Sequence, residues 1–250
     1  MKRLLAILIT CVLACSLVAC GNAGSSTETN PSAATSEETS SQATAADDKT
    51  APEETVEPAN ETATDNADGS DSEGSHILVV YFSRTGEQYT VGVIDHGNTA
   101  IVAEMIADET GGDLFEILPE DDHYPMTYAE LTDVAKKEQN EKARPDYAGD
   151  VPDLSRYDTV FIGAPVWWGD WPMIMYTFFE ENAEALAGKN LVPFSTHEGS
   201  GLSGFDKKLS SATPGSTVLK GLATRGNDCQ NKQDSVRKSV NDWIADLGSM

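Results

Sequence analysis

The chain has 250 residues, and 41 acidic against 17 basic side chains leave it with a formal charge of −24. So acidic a chain excludes a nucleic-acid backbone or an anionic lipid surface as its main partner. The length would allow about one and a half average domains, yet the apolar residues crowd into the part beginning near residue 76, which predicts one folded domain.

Met1-Lys2-Arg3 is a short basic start, followed by sixteen mostly apolar residues from Leu4 to Ala19. That run is shorter than the roughly 20 residues of a membrane-crossing helix, and residues 1–19 read as an export signal peptide. Its end, Leu17-Val18-Ala19-Cys20-Gly21, resembles the bacterial lipobox. The resemblance implies lipidation of Cys20, which becomes the first residue of a lipoprotein on the extracytoplasmic face of a bacterial cell membrane, touching the bilayer through its lipid anchor only. Cys11 and Cys15 leave with the signal, so Cys229 has no partner and no disulfide supports the exported fold. Residues 20–75 are dominated by Ser, Thr, Ala, Glu, Asp, Pro, Asn and Gly, with Val56 the one β-branched aliphatic residue and no aromatic one, which predicts a disordered acidic linker. Both parts are acidic: residues 21–75 carry −12 and residues 76–250 carry −14.

His76-Ile77-Leu78-Val79-Val80-Tyr81-Phe82 is a continuous apolar run of strand length, the pattern of a parallel strand covered on both faces. Ile101, Val102, Met105 and Ile106 recur at helical spacing behind Asn98-Thr99, and Gly111-Gly112 ends that helix. A strand is expected over 114–118, a polar helix from Tyr128 to about Arg144, and a second buried strand over 157–163. Pro172 suits the first turn of a helix over 173–186. Residues 191–195 read as a strand, 204–211 as a short helix and 217–222 as a strand, before a closing helix over 234–247 with Val236, Val240, Trp243 and Ile244 turned inward. Five strands alternating with five helices give an α/β three-layer sandwich around a parallel sheet, occupying residues 76–250.

In such sheets ligands bind beyond the carboxyl ends of the strands. After the first strand, Ser83-Arg84-Thr85-Gly86 is separated from a helix start at Asn98-Thr99 by Glu87 to Gly97. Hydroxyls, backbone N–H groups and a positive helix end suit a phosphomonoester. After the third strand, Trp167, Trp168 and Trp171 fall within five residues, costly to expose unless they stack on a ligand. Trp168, and after it Trp167, is expected to stack, and Trp171 to pack. After the fourth, Thr196-His197-Glu198-Gly199-Ser200 opens a glycine-rich turn that lets backbone approach a planar ligand. No Gly-x-Ser-x-Gly elbow supports a hydrolase reading of His197 and Ser200. His96 and His123 read as solvated loop histidines, and Glu116, Glu120, Asp121 and Asp122 as a solvated edge, with no metal site. A receiver domain would need acids where Ser83 and Ala164 stand, and neither a dinucleotide fingerprint nor a P-loop occurs.

Taken together, Tyr-Phe-Ser-x-Thr-Gly, Pro-x-Trp-Trp-Gly and the Gly-Ser-Gly loop resemble the flavodoxin family over essentially all of residues 76–250. The resemblance implies a flavodoxin-like five-stranded parallel sheet of order 2-1-3-4-5 and bound FMN. It puts the phosphate on Ser83, Arg84, Thr85, Gly86, Asn98 and Thr99. It lines the isoalloxazine with Pro165, Val166, Trp167, Trp168 and Gly169, and sets Thr196, His197, Glu198, Gly199 and Ser200 on its other side. The chain departs from the family at Glu87 to Gly97, which interrupts a Thr-Gly-x-Thr loop that is usually contiguous.

FMN would bring the redox chemistry, and the protein binding, orientation and electrostatics. With no NAD(P)H fingerprint and no iron–sulfur cysteines, electrons are expected to pass to a redox protein partner or a small aromatic or quinone acceptor. An electron carrier exposes the flavin edge, whereas an FMN-dependent NAD(P)H:quinone-type reductase needs a pocket beside it, which residues 87–97 with Tyr89 would wall. The non-redox alternative is a binding lipoprotein that has lost FMN. An acidic domain opposes the anionic reduced flavin and so is expected to lower its potential.

Overall fold

The computed structural model describes residues 76–248, and the signal segment, Cys20 and the linker over 20–75 lie outside them. β1 (Ile77–Tyr81) leads through an antiparallel hairpin, β2 (Gly86–Gln88) and β3 (Gly92–Ile94), into α1 (Asn98–Thr110). β4 (Asp113–Glu116) and β5 (Leu118–Pro119) follow, then α2 (Tyr128–Glu141) and β6 (Tyr147–Ala148), which pairs with β5. Next come β7 (Thr159–Pro165), α3 (Met173–Leu186), β8 (Asn190–His197) and α4 (Phe205–Ala212). β9 (Thr217–Val218), β10 (Leu222–Arg225), α5 (Gly226–Asn231) and α6 (Gln233–Gly248) end the described residues.

The main sheet is parallel, in the order β4-β1-β7-β8-β10, with β9 beside the start of β8. By position this is the expected 2-1-3-4-5 order. Leu78 and Val80 turn to one face with Val160, Ile162 and Leu191, where α3 packs through Ile174, Phe178 and Phe179. Val79 and Tyr81 turn to the other with Phe161, Val192 and Phe194, where α1 and α6 pack through Ile101, Met105, Val240 and Trp243. Side chains alternate across a pleat, so an unbroken apolar run is what a strand covered on both faces requires.

Several boundaries differ from the sequence reading, each for a local reason. The strand expected over 217–222 splits into β9 and β10. Leu219 N–H donates to Leu191 O at 2.8 Å, but the next rung of a parallel ladder needs an N–H on Pro193, which has none. Gly221 then crosses so close to Pro193 that a Cβ would stand 2.6 Å from its carbonyl oxygen. The third strand starts at Thr159 because a capped 3-10 turn, Leu154–Arg156, occupies its approach, and it runs on to Pro165. α2 stops at Glu141, where Lys142 turns left-handed at φ +52° ahead of Pro145. β4 ends at Glu116, and Leu118 belongs to the β5–β6 pair. α5 makes a sixth helix among the described residues.

Candidate functional site

The carboxyl ends of β1, β7 and β8 bring their three loops to one side of the sheet, where they bound a cleft of about 530 Å³. Pro165, Val166, Trp167, Trp168 and Gly169 form one wall; Thr196, His197, Glu198 and Ser200 contribute another; Asn98 and Gly226 close one end. The expected ring-lining residues therefore face a common space, Gly199 excepted. Ser83, Arg84, Thr85, Gly86 and Thr99 do not line it but build or adjoin its Asn98 end.

That end is shaped by close approach. The segment 87–97 folds back as the β2–β3 hairpin and returns the chain to β1, so α1 still starts at Asn98 beside the first loop. Ser83 Oγ accepts from Ala100 N–H at 3.0 Å, and a Cβ on Gly97 would stand 2.1 Å from the same oxygen. Among the described residues, the N–H groups of Ser83, Arg84 and Thr85 make no hydrogen bond within the chain, and the Ser83 bond to Ala100 is the one side-chain cap at the start of α1, which leaves the Asn98 and Thr99 N–H groups open. Open amides at a helix N-terminus are an anion site. Thr99 Oγ1 bonds Thr196 Oγ1 at 2.8 Å and ties α1 to β8. Gly86 is structural: at φ +83° it starts the hairpin where a Cβ would meet Met126 O at 2.7 Å.

The Arg84 guanidinium is held by neighbours outside the lining of the cleft. Nη1 pairs with both oxygens of Asp122 at 3.0 and 3.2 Å, and Nη2 donates to Tyr124 O at 2.6 Å. The fork is committed to the 122–124 segment because a side chain only 9% exposed needs partners for its charge. Its buried Nε–H has no partner and is the one donor of that side chain left for an anion. Asp122 lies on the expected solvated edge, 58% exposed, and is also the ion-pair partner of Arg84.

Trp168-Gly169 sits at the centre of a tight turn in which Trp167 and Asp170 exchange two backbone hydrogen bonds of 2.9 Å. Both central residues are left-handed, φ +50° and +72°, the type I′ geometry that favours Asn-Gly and strains an indole. The Trp168 ring is held in place: Nε1–H donates to Thr132 O at 2.8 Å, and Lys136 Nζ lies 4.8 Å from its centroid. Trp167 packs edge-on against Phe82 and Tyr124 at 5.4 and 5.2 Å between centroids. Trp171 is fully buried and stacked on Phe205 at 3.6 Å, as expected of a packing residue.

On the opposite loop, Gly199 N–H donates to His197 Nδ1 at 2.9 Å. Burial holds the His197 pKa below its ordinary value, with Glu198 opposing and Arg225 reinforcing the shift. Glu198 accepts from Asn227 N–H at 2.6 Å and lies 3.7 Å from Arg225 Nη2.

Sequence reasoning missed much of the remaining wall. Tyr128, Leu131, Thr132 and Ala135 of α2 line the cleft at helical spacing, a stripe discernible in the sequence but diluted by polar neighbours. Gln88, Tyr89 and Val91 of the 87–97 segment, a wall that the sequence does lead one to expect, come from the hairpin, and Tyr89 stacks on Tyr128 at 5.4 Å. His123 is not merely solvated. The carboxylate of Glu138, 7% exposed, is balanced by His123 Nε2 at 2.8 Å and Tyr124 OH at 3.2 Å, and the hydrogen bond to Glu138 raises the His123 pKa. His96, by contrast, makes an exposed contact to Glu104 at 2.9 Å. Cys229 is buried, its thiol pKa pushed up to about 12, which makes it unreactive.

The model of the flavodoxin family matches residues 76–245. A protein of Bacteroides uniformis, designated a flavoprotein, is 29% identical with a TM-score of 0.53, over 69% of this chain and 99% of its own. A similarly designated protein of Bacteroides eggerthii is 30% identical, TM-score 0.49, over 64% and 96%. A Lactobacillus acidophilus flavoprotein crystallised with FMN is 22% identical, TM-score 0.48, over 63% and 97%. None of the curated proteins matches.

Proposed function

This chain belongs to the flavodoxin family and its cofactor is FMN, and from that premise we propose that it is an electron-transfer flavoprotein, tethered through lipidated Cys20 to the outer face of a bacterial membrane. The observation that carries the reading is the cleft itself, lined by the loops after β7 and β8 and with uncoordinated amides at its Asn98 end. Ser83, Arg84, Thr85, Asn98 and Thr99 hold the phosphate, chiefly through backbone N–H groups and the α1 terminus. The Pro165–Gly169 and Thr196–Ser200 loops hold the ring and exclude water from it. Bound FMN supplies the redox couple. Donor and acceptor are a redox protein or a small aromatic or quinone molecule.

A second reading, an FMN-dependent reductase of small quinone-type acceptors, is favoured by the hairpin, because Tyr89 stacked on Tyr128 walls the cleft. Turnover of a soluble quinone with NAD(P)H, absent in the carrier, separates the two.

The test is titration of the purified chain with FMN and riboflavin. FMN is expected to bind at least about tenfold tighter, since charge-assisted hydrogen bonds to a phosphate contribute roughly 1.5–3 kcal/mol. Equal affinities refute the phosphate end, and absence of flavin binding refutes the function. Labelled palmitate entering the parent chain but not Cys20→Ala tests the anchor, and label retained by the variant overturns it.

A further inference from the structure

The His197 ring has a fixed hydrogen-bonding sense. Its Nδ1 accepts the Gly199 N–H at 2.9 Å, so in the neutral ring the proton sits on Nε2. The turn that supplies this N–H depends on Gly199 at φ +135°, a backbone conformation that side chains disfavour. Among the described residues, Nε2 has no hydrogen-bond partner, although the ring lines the cleft. Burial keeps the ring neutral at neutral pH, Arg225 adding to that and Glu198 acting against it. Its Nε2–H, fixed in sense by the loop and belonging to a ring that lines the cleft, is free to donate to an acceptor on the ligand.

We propose that His197 donates a hydrogen bond through Nε2–H to the flavin ring and favours its reduced, anionic form. The inference rests on the FMN reading of the cleft. Two electrons from an external reductant and one proton from water turn the neutral oxidised ring into a monoanion, while His197 keeps its own proton. Hydrogen bonds to a charged acceptor are roughly twice as strong as those to a neutral one, so the donor discriminates between the two states. It acts against the acidic surface, whose charge opposes the anion.

The test compares the parent chain with His197→Phe, which keeps a flat ring without a donor, and His197→Gln, whose amide nitrogen reaches toward the Nε2 position. His197→Phe is expected to lower the affinity for reduced relative to oxidised FMN by about five- to tenfold, each tenfold corresponding to about 30 mV in a two-electron potential. His197→Gln is expected to stay within about threefold of the parent. If His197→Phe does not fold, His197→Asn, whose amide occupies the Nδ1 side, is expected to give the same loss. Nitrogen-15 NMR of the flavin-free chain is expected to show Nε2 protonated and Nδ1 bare. The opposite tautomer, equal effects of Phe and Gln, or no effect of Phe in a parent that binds FMN overturns this inference alone. A parent that binds no FMN overturns it together with the function it rests on.

Discussion

Replacing Trp168 by glycine separates what the indole does for the turn from what it does for the ligand. The backbone gains, because a left-handed non-glycine residue is strained by about 1–2 kcal/mol and φ +50° suits glycine. The side chain loses an indole hydrogen bond to Thr132 O, about 0.5–1.5 kcal/mol, and the Lys136 contact, about 0.5–1 kcal/mol at an exposed site. The ring is 53% exposed, so little buried area is lost beyond these. The terms cancel to within about 1 kcal/mol, and the flavin-free chain is expected to keep its denaturation midpoint nearly unchanged. FMN binding is not compensated, since stacking on an aromatic face contributes about 0.5–1.5 kcal/mol beyond area burial, so affinity is expected to fall roughly three- to tenfold. Urea denaturation without flavin and a fluorescence titration with FMN give the two numbers, and flavin emission quenched by the indole is expected to recover. Destabilisation of the flavin-free chain by more than about 2 kcal/mol would show the ring to be scaffold. Unchanged FMN affinity would remove Trp168 from the flavin wall.

Arg84→Ala is expected to lower unfolding stability by about 2–3 kcal/mol, because Asp122 and the Tyr124 carbonyl lose a nearly buried partner. The FMN-to-riboflavin affinity ratio should change less than about tenfold, and its collapse would return the phosphate to the guanidinium. For the His123–Glu138 pair the sign follows from the raised His123 pKa: its stabilisation is full below the ordinary value of 6.5 and is lost as pH rises through the higher folded value. His197, shifted downward, acts in the opposite sense, so the readout is the difference in denaturation midpoint between parent and Glu138→Gln at pH 6 and pH 8. That difference is expected to shrink at pH 8, and one independent of pH would refute the pairing.

The sheet was readable because each of its central strands is an unbroken apolar run, and burial on both faces leaves little else for such a run to do. The two aromatic and glycine-rich loops were readable from their position after those strands. Arg84 was not, since residue type alone does not tell whether a guanidinium meets a ligand or an aspartate 38 positions away. Pro193 is visible in the sequence, but its effect on the β8 ladder appears only once the neighbouring strand is known. The α2 stripe escaped notice because Thr132 and Tyr128 line a polar cleft rather than a core, which weakens the apolar periodicity on which helix faces are recognised.

The hairpin is more than an insertion beside the site. Glu87 donates its N–H to Met126 O at 2.8 Å and accepts Tyr128 N–H on its carboxylate at 2.8 Å, so it supplies the start of α2 with the cap that Thr127 leaves unmade. The helix and the inserted strands are therefore one transplantable part. Moving the eleven residues alone into a relative without them would deliver a strand pair with nothing to cap, and deleting them here would uncap the helix that lines the cleft through Tyr128, Leu131, Thr132 and Ala135.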